Sequence, residues 1–433
     1  MSLSFRGDSR IPVELLDAIL SYADFETLAK CSLVCRFWLP SARRHHFREF
    51  IVKPRSDARL PSHALLLSDP TSTVLPYIRR LYIEEGVSKE DWNQFRRLLQ
   101  TTEMNPWFND ILPSIRVHDL TAMQHLTIHN AVWSNLSDES RCSLASLCQR
   151  LVALRLFCID AVGGIPHASV AELLTAATTL RQLSLFCTPD MEDVDTTPQD
   201  DDAVPTRPDA QTNAPKHSLA LRSYSVDGPL CSHLPAFLDA FSPSELEDVT
   251  LGSLNESNIR QAISFLKSCS ERLVHLSLKF ELQWLWILSG PNPTARPEVL
   301  FCAQGGLTGI TLLQSLQLDA QLQHVPAILR QIESPSLVDI TVRATPSMLP
   351  TCDLDELARS LRSGSLASAR PRFSLICECE LNRILHPDYA AWDRMRDAFR
   401  EALKDLRDEG RLRFLRHVVD AKSKLPTPEL EEF

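Results

Sequence analysis

Leu151-Val152-Ala153-Leu154-Arg155-Leu156-Phe157-Cys158 returns 29 residues later as Leu180-Arg181-Gln182-Leu183-Ser184-Leu185-Phe186-Cys187. Each copy has the form Leu-x-x-Leu-x-Leu. Side chains alternate between the two faces of a strand, so the second and third leucines share one face and their neighbours share the other. A strand of this kind buries one side only, and needs a similar strand beside it.

Working outward, the strict pattern recurs at Leu273/Leu276/Leu278 and Leu313/Leu316/Leu318, and looser copies begin at Ile78, Met123, Leu221, Leu246 and Leu337. Composition alone would produce about one strict copy, and there are four. Successive starts at 123, 151 and 180, at 221, 246 and 273, and at 313 and 337 lie 24 to 29 residues apart. That is the period of leucine-rich repeats. The wider gaps after 78, 180 and 273 each predict an insertion.

Between the strands, Ile259, Ala262, Ile263 and Leu266 form one helical stripe, and Val325, Ile328, Leu329 and Ile332 form another. Leu354, Leu357, Ala358 and Leu361 follow an Asp353 cap, and Ser88 with Asp91 reads as a capping box before Trp92, Phe95 and Leu99. The expected arrangement is a stack of strand–helix units in which each covers its neighbour. Leu375-Ile376-Cys377 reads as a last strand. Trp392, Met395, Phe399, Ala402, Leu403 and Leu406 then predict one long helix ending near Gly410, placed to cap the final repeat. The basic run Arg411 to Arg416 reads as a solvated helix face, and the tail from Lys422 as frayed. Residues 189–215, rich in Asp and Pro with little to bury, read as a disordered acidic insertion.

The N-terminus is different in kind. In Ile11-Pro12-Val13-Glu14-Leu15-Leu16, continuing to Ile19-Leu20-Ser21-Tyr22, Pro12 suits the first turn of a helix and the aliphatics follow at helical spacing. Asp24 reads as the cap of a second helix bearing Leu28, Cys31 and Cys35 on one side and Leu33 and Val34 on another; Trp38 and Pro40 close the unit. A third helix is expected over Ser41 to Ile51. About 40 residues cannot bury so many aliphatic side chains alone.

This stretch resembles the F-box, the helical module that docks on the Skp-type adaptor of SCF ubiquitin ligases. Ile11 stands where the family usually has Leu, and Ala23 where it has a bulky apolar residue. The resemblance implies that Pro12, Leu15, Leu16, Ile19, Leu20, Leu28, Leu33, Val34 and Trp38 contact the adaptor, and through it a cullin scaffold. It also implies a non-catalytic receptor that holds a target protein. The alternative is a repeat scaffold, bound to the adaptor or free, without ligase activity.

The chemistry of enzymes is missing from the sequence. No phosphate loop, dinucleotide fingerprint, nucleophile elbow or H-E-x-x-H helix occurs, and Gly305, Gly306 and Gly309 read as a turn. Cys377-x-Cys379 and Cys31-x-x-x-Cys35 lack the partner pair that zinc requires, and no cofactor is expected. A net charge of −10 argues against a dedicated nucleic-acid binder. Leu282 to Leu288 is too short to span a bilayer, and Met1 to Arg10 is too polar for an export signal. Cysteines without framework spacing point to a reducing compartment, cytoplasmic or nuclear or both.

The expected fold is therefore α/β. A three-helix F-box (residues 1–52) and a linker (53–76) precede a leucine-rich-repeat-like solenoid (77–380), with parallel strands on the concave face and helices on the convex one. Residues 381–433 close it with a capping helix and tail. The outward strand positions include Arg80, Tyr82, His125, Thr127, Arg155, Phe157, Gln182, Phe186, His275, Lys279, Gln317 and Arg343; all but Thr127, Gln182 and Gln317 are the candidate target contacts. His125 and His129 are expected to face solvent.

Overall fold

The structure is a computed structural model that describes residues 11–53, 64–84, 108–131, 136–159, 173–188, 219–227, 243–281, 296–377, 389–419 and 428–432. The acidic insertion, the capping box at Ser88, the apolar run from Leu282 and Cys379 lie outside the described residues. The described residues divide into two compact units, one ending at Leu180 and one beginning at Arg181.

The first unit begins with α1 (Val13–Leu20), α2 (Phe25–Val34) and α3 (Leu39–His46). Pro12 sits one residue before the first helical turn, with φ −50° and ψ 141°, and its carbonyl accepts the Leu16 N–H at 3.0 Å. The Asp24 carboxylate caps α2 by accepting the Thr27 N–H at 2.7 Å. Leu16, Leu20, Leu28 and Ala42 form a small core with Ala23, Cys31 and Trp38 against it. Across its rim, Asp17 of α1 lies 3.1 Å from His45 Nε2 of α3.

The third helix ends earlier than expected, because Glu49–Val52 is a strand, β1, with Phe50 and Val52 buried and its other two residues exposed. It pairs in parallel with β2 (Arg80–Glu84), which pairs with β3 (His125–Ala131), which pairs with β4 (Ala153–Ile159). Phe50, Leu81, Leu126 and Leu154 align across the four strands, and so do Val52, Ile83, Ile128 and Leu156. The repeat therefore begins inside the segment expected to belong to the helical module. The connector is expected to carry a short helix near Ala64 to Leu67; Ala64–Leu67 is a 3₁₀ turn and Leu75–Tyr77 is a second, with Leu67 and Leu75 fully buried. The crossovers carry α4 (Phe108–Ile111) and α5 (Asp138–Cys148), the latter capped by Ser137, which accepts the Ser140 N–H.

The second unit strings β5 (Gln182–Thr188), β6 (Ser223–Asp227) and β7 (Asp248–Leu254) in parallel, then continues as strand–helix pairs. These are α6 (Ile259–Cys269) before β8 (His275–Phe280), α7 (Pro297–Ala303) before β9 (Ser315–Asp319), and α8 (Val325–Leu329) before β10 (Asp339–Ala344). The helices α9 (Leu354–Leu361) and α10 (Gly364–Ala369) lead to β11 (Arg372–Cys377). Parallel neighbours require such crossovers, since a tight turn reverses the chain. Leu276, Leu316, Ile340 and Phe373 align in the buried row, as do Leu278, Leu318, Val342 and Leu375. In both units, every strand expected from a leucine anchor starts two residues after it, and all nine anchors from Ile78 to Leu337 are buried.

The C-terminal expectation needs correction. Instead of one capping helix there are α11 (Tyr389–Ala402) and α12 (Lys404–Asp408), and they are followed by two more strands. β12 (Leu412–Val419), which contains Arg413 and Arg416 of the basic run expected to be helical, pairs in parallel with β11; β13 (Pro428–Glu432) pairs antiparallel with β12. The charged α11 serves as the helix of a repeat: Trp392, Met395 and Phe399 are buried as the spacing predicted.

The glycine turn after α7 is as expected, with Gly305 at φ 65° and Gly309 at φ 85°. Gly306 is there for a different reason: a Cβ would stand 2.4 Å from the ring of buried Phe301. Gly306→Ala is expected to cost about 1–3 kcal/mol by overpacking, read as a lower denaturation midpoint.

Candidate functional site

The nine N-terminal residues singled out as adaptor contacts do not lie on one surface. Leu16, Leu20 and Leu28 are buried in the three-helix core, at 0, 2 and 5% exposure, so they hold the module together and are corrected from contacts to core. Trp38 is half-buried against the same core. Pro12, Leu15, Ile19, Leu33 and Val34 are exposed, Leu33 at 86%. On α1 the two sets are adjacent stripes of four-residue spacing: Leu16 and Leu20 face in, Leu15 and Ile19 face out. A helix apolar on both stripes is built to be covered on both.

Five further residues join the outer set: Ile11, Val13, Tyr22, Phe25 and Phe37. Nine of the fourteen large hydrophobic side chains exposed among the described residues thus lie between Ile11 and Phe37. Their signal in the sequence was an excess of apolar residues over what one small core can absorb. Of these, Phe25 is partly engaged, its ring stacked on His46 at 3.9 Å, and burial holds the His46 pKa below its ordinary value. Residues 8–48 match the F-box-like family model. The N-terminal helical domain is an F-box. A search of curated proteins returns no significant match to the chain. Modules of this kind generally bind Skp-type adaptors, and nine large apolar side chains of this one are exposed.

The second candidate surface is the open face of the first unit's sheet. Arg80 pairs with His125, and Tyr82 with Thr127, which pairs in turn with Arg155. Glu84, His129 and Phe157 form the next row. Five of the candidate target contacts, Arg80, Tyr82, His125, Arg155 and Phe157, are thereby gathered on three adjacent strands. His129 does not simply face solvent. Its half-buried ring lies between Tyr82 at 6.1 Å and Phe157 at 4.9 Å. The Lys53 ammonium stands 5.3 Å from the Tyr82 ring centroid and 2.7 Å from Glu84. Burial, then Glu84, pushes the Tyr82 pKa up; burial, then Arg80, Arg155 and Arg48, pushes the His125 pKa down.

Phe186, His275, Lys279 and Arg343 lie on the second unit's open face, on β5, β8 and β10, and are not gathered into one cluster. Lys279 is 3.5 Å from Asp227. Sequence reading named only Gln317 of a row of uncharged polar residues there: Ser184, Ser225, Thr250, Ser277, Gln317, Thr341 and Ser374 align across seven strands.

No group of three or more His, Cys, Asp or Glu side chains is placed to hold a metal ion among the described residues. Cys31 is half-buried beside the F-box core, while Cys35 is exposed just past the end of α2. Among the described residues no helix is long and apolar enough to cross a membrane.

Proposed function

We propose that the chain is the substrate receptor of an SCF-type ubiquitin ligase. The exposed apolar face of the F-box docks on the Skp-type adaptor, which links it to the cullin, and the open sheet faces hold a target protein. The observation that carries this reading is the concentration of exposed large hydrophobics between Ile11 and Phe37. Each such side chain contributes about 1.5–3 kcal/mol when covered, so only a few need be covered to form a stable complex. Such a receptor breaks and makes no bonds itself. It raises the concentration of target lysines around a ubiquitin donor. The described cysteines are free thiols, in keeping with the cytoplasm or nucleus as its compartment.

Cysteine reactivity supplies a test of the docking face. Cys35 and Cys142 are exposed, whereas burial pushes the thiols of Cys148, Cys269 and Cys377 up to about 12. Brief alkylation at neutral pH should label Cys35 and Cys142 and spare those three. With adaptor bound, mass spectrometry should show Cys35 protected and Cys142 still labelled. Equal labelling of Cys35 with and without adaptor would refute the docking face. Ubiquitylation of a co-purified partner in a reconstituted ligase tests the remainder of the proposal.

A further inference from the structure

The open face of the first unit differs in charge from the chain that carries it. Its cations are Lys53, Arg80 and Arg155, with Arg48 just before β1 near enough to act on His125, and its carboxylates are Glu49 and Glu84. Both carboxylates are engaged, Glu49 with Arg80 at 2.6 Å and Glu84 with Lys53 at 2.7 Å. Arg48 and Arg155 are exposed and have no ion-pair partner among the described residues. This leaves a local excess of two positive charges in a chain whose net charge is −10.

The backbone brings these groups together. The Arg48 carbonyl accepts the N–H groups of Arg79 and Arg80, at 3.0 and 2.9 Å, which places Arg48 at the foot of β1 beside β2. Arg80 neighbours His125 on β3, and Arg155 lies one row further on, on β4. Ala153 stands opposite His125 in the same row and is itself buried. Toward the other end of the strands, the half-buried rings of Tyr82, His129 and Phe157 form an aromatic shelf.

We infer that this face binds a short acidic segment of a target polypeptide, one that carries a carboxylate for Arg48 and Arg155 and an aromatic or large aliphatic side chain for the Tyr82–His129–Phe157 shelf. Guanidinium groups favour carboxylates through charge-assisted hydrogen bonds, and exposed arginine beside aromatic rings is the composition of binding hot spots. Two uncompensated cations suit one or two carboxylates. They are too few for a nucleic-acid backbone, which the chain's overall charge would repel. The inference rests on the receptor reading for its biological sense but can be tested apart from it.

The test is to pan a random octapeptide display library against the full chain bound to its adaptor, and to measure the enriched peptides by fluorescence anisotropy. The expected pool is rich in Asp or Glu beside Phe, Tyr, Trp or Leu. Its affinity should fall at least about tenfold with Arg155→Glu or with Arg48→Glu, and weaken as salt is raised. Phe157→Ala should weaken it while keeping the salt dependence, and Arg155→Lys should retain most of the binding. Adaptor binding, measured on the same variants, should stay unchanged, which separates this result from failure of the docking reading. The inference is overturned by a pool without acidic residues, by no enrichment, by binding indifferent to Arg155→Glu in a folded chain, or by peptides that bind only as phosphoserine forms.

Discussion

Replacing Leu33 and Val34 together by aspartate is expected to lower affinity for the Skp-type adaptor by at least about 100-fold without changing the thermal unfolding of the chain. Both side chains are exposed, at 86 and 62%, and lie at the end of α2 away from the three-helix core. Surface substitutions that touch nothing change stability by about 0.5 kcal/mol or less. In a complex, the same positions would place two carboxylates in a dry apolar contact. Losing one buried aliphatic anchor costs about 2 kcal/mol, and stranding an unpaired charge there adds to it. The contrast is Leu16→Asp, which also abolishes binding, but by unfolding the module, since Leu16 has no exposed surface. Calorimetry against purified adaptor, with circular dichroism on each variant, separates the two. Full affinity in the Leu33/Val34 variant would mean that the exposed stripe is not the contact.

The other large effect belongs to the second unit. Leu318→Asp should unfold that unit, at a cost above about 4 kcal/mol. Leu318 is fully buried on β9, with Leu278 and Val342 beside it in register. A carboxylate there meets aliphatic neighbours on both sides. In a stack where each repeat is covered only by its neighbours, loss of one strand uncovers the next, so damage should spread along the array. Limited proteolysis should release fragments from the region after Arg181, while adaptor binding by the F-box persists. Gln317→Ser, one residue away on the open face, should change the stability of the unit by less than about 0.5 kcal/mol. An unchanged protease pattern in Leu318→Asp would mean that β9 does not turn this side chain into the core.

The repeat was legible because its information is local. Each anchor such as Leu151 or Leu313 announces a strand two residues on, and alternation does the rest. The strands that escaped notice, β1, β12 and β13, lack the leucine anchor. Glu49–Val52 follows a basic helix, and Leu412–Val419 carries Arg413 and Arg416 in a context that suggested a helix face. Their strand state comes from the parallel neighbour each one finds, β2 for the first and β11 for the second. Non-local pairing of this kind leaves little trace in a short window of sequence.

The candidate sites show the same division. Leu15 and Leu16 are neighbours of one residue type, yet one is more than half exposed and the other fully buried. Amino-acid order alone determined the module of three helices, the repeating strand–helix unit, the buried rows and the surplus of apolar side chains near the N-terminus. Those follow from periodicity and capping, which act over a few residues. Only the tertiary structure decided which leucines of the F-box are core and which remain uncovered. It also decided that Arg80 and Arg155, widely separated along the chain, come to lie beside His125 on one face, with Arg48 near enough to act on it. The physical reason is that burial and charge proximity depend on which segments become neighbours, and in this fold those neighbours are supplied by parallel strands joined through long crossovers.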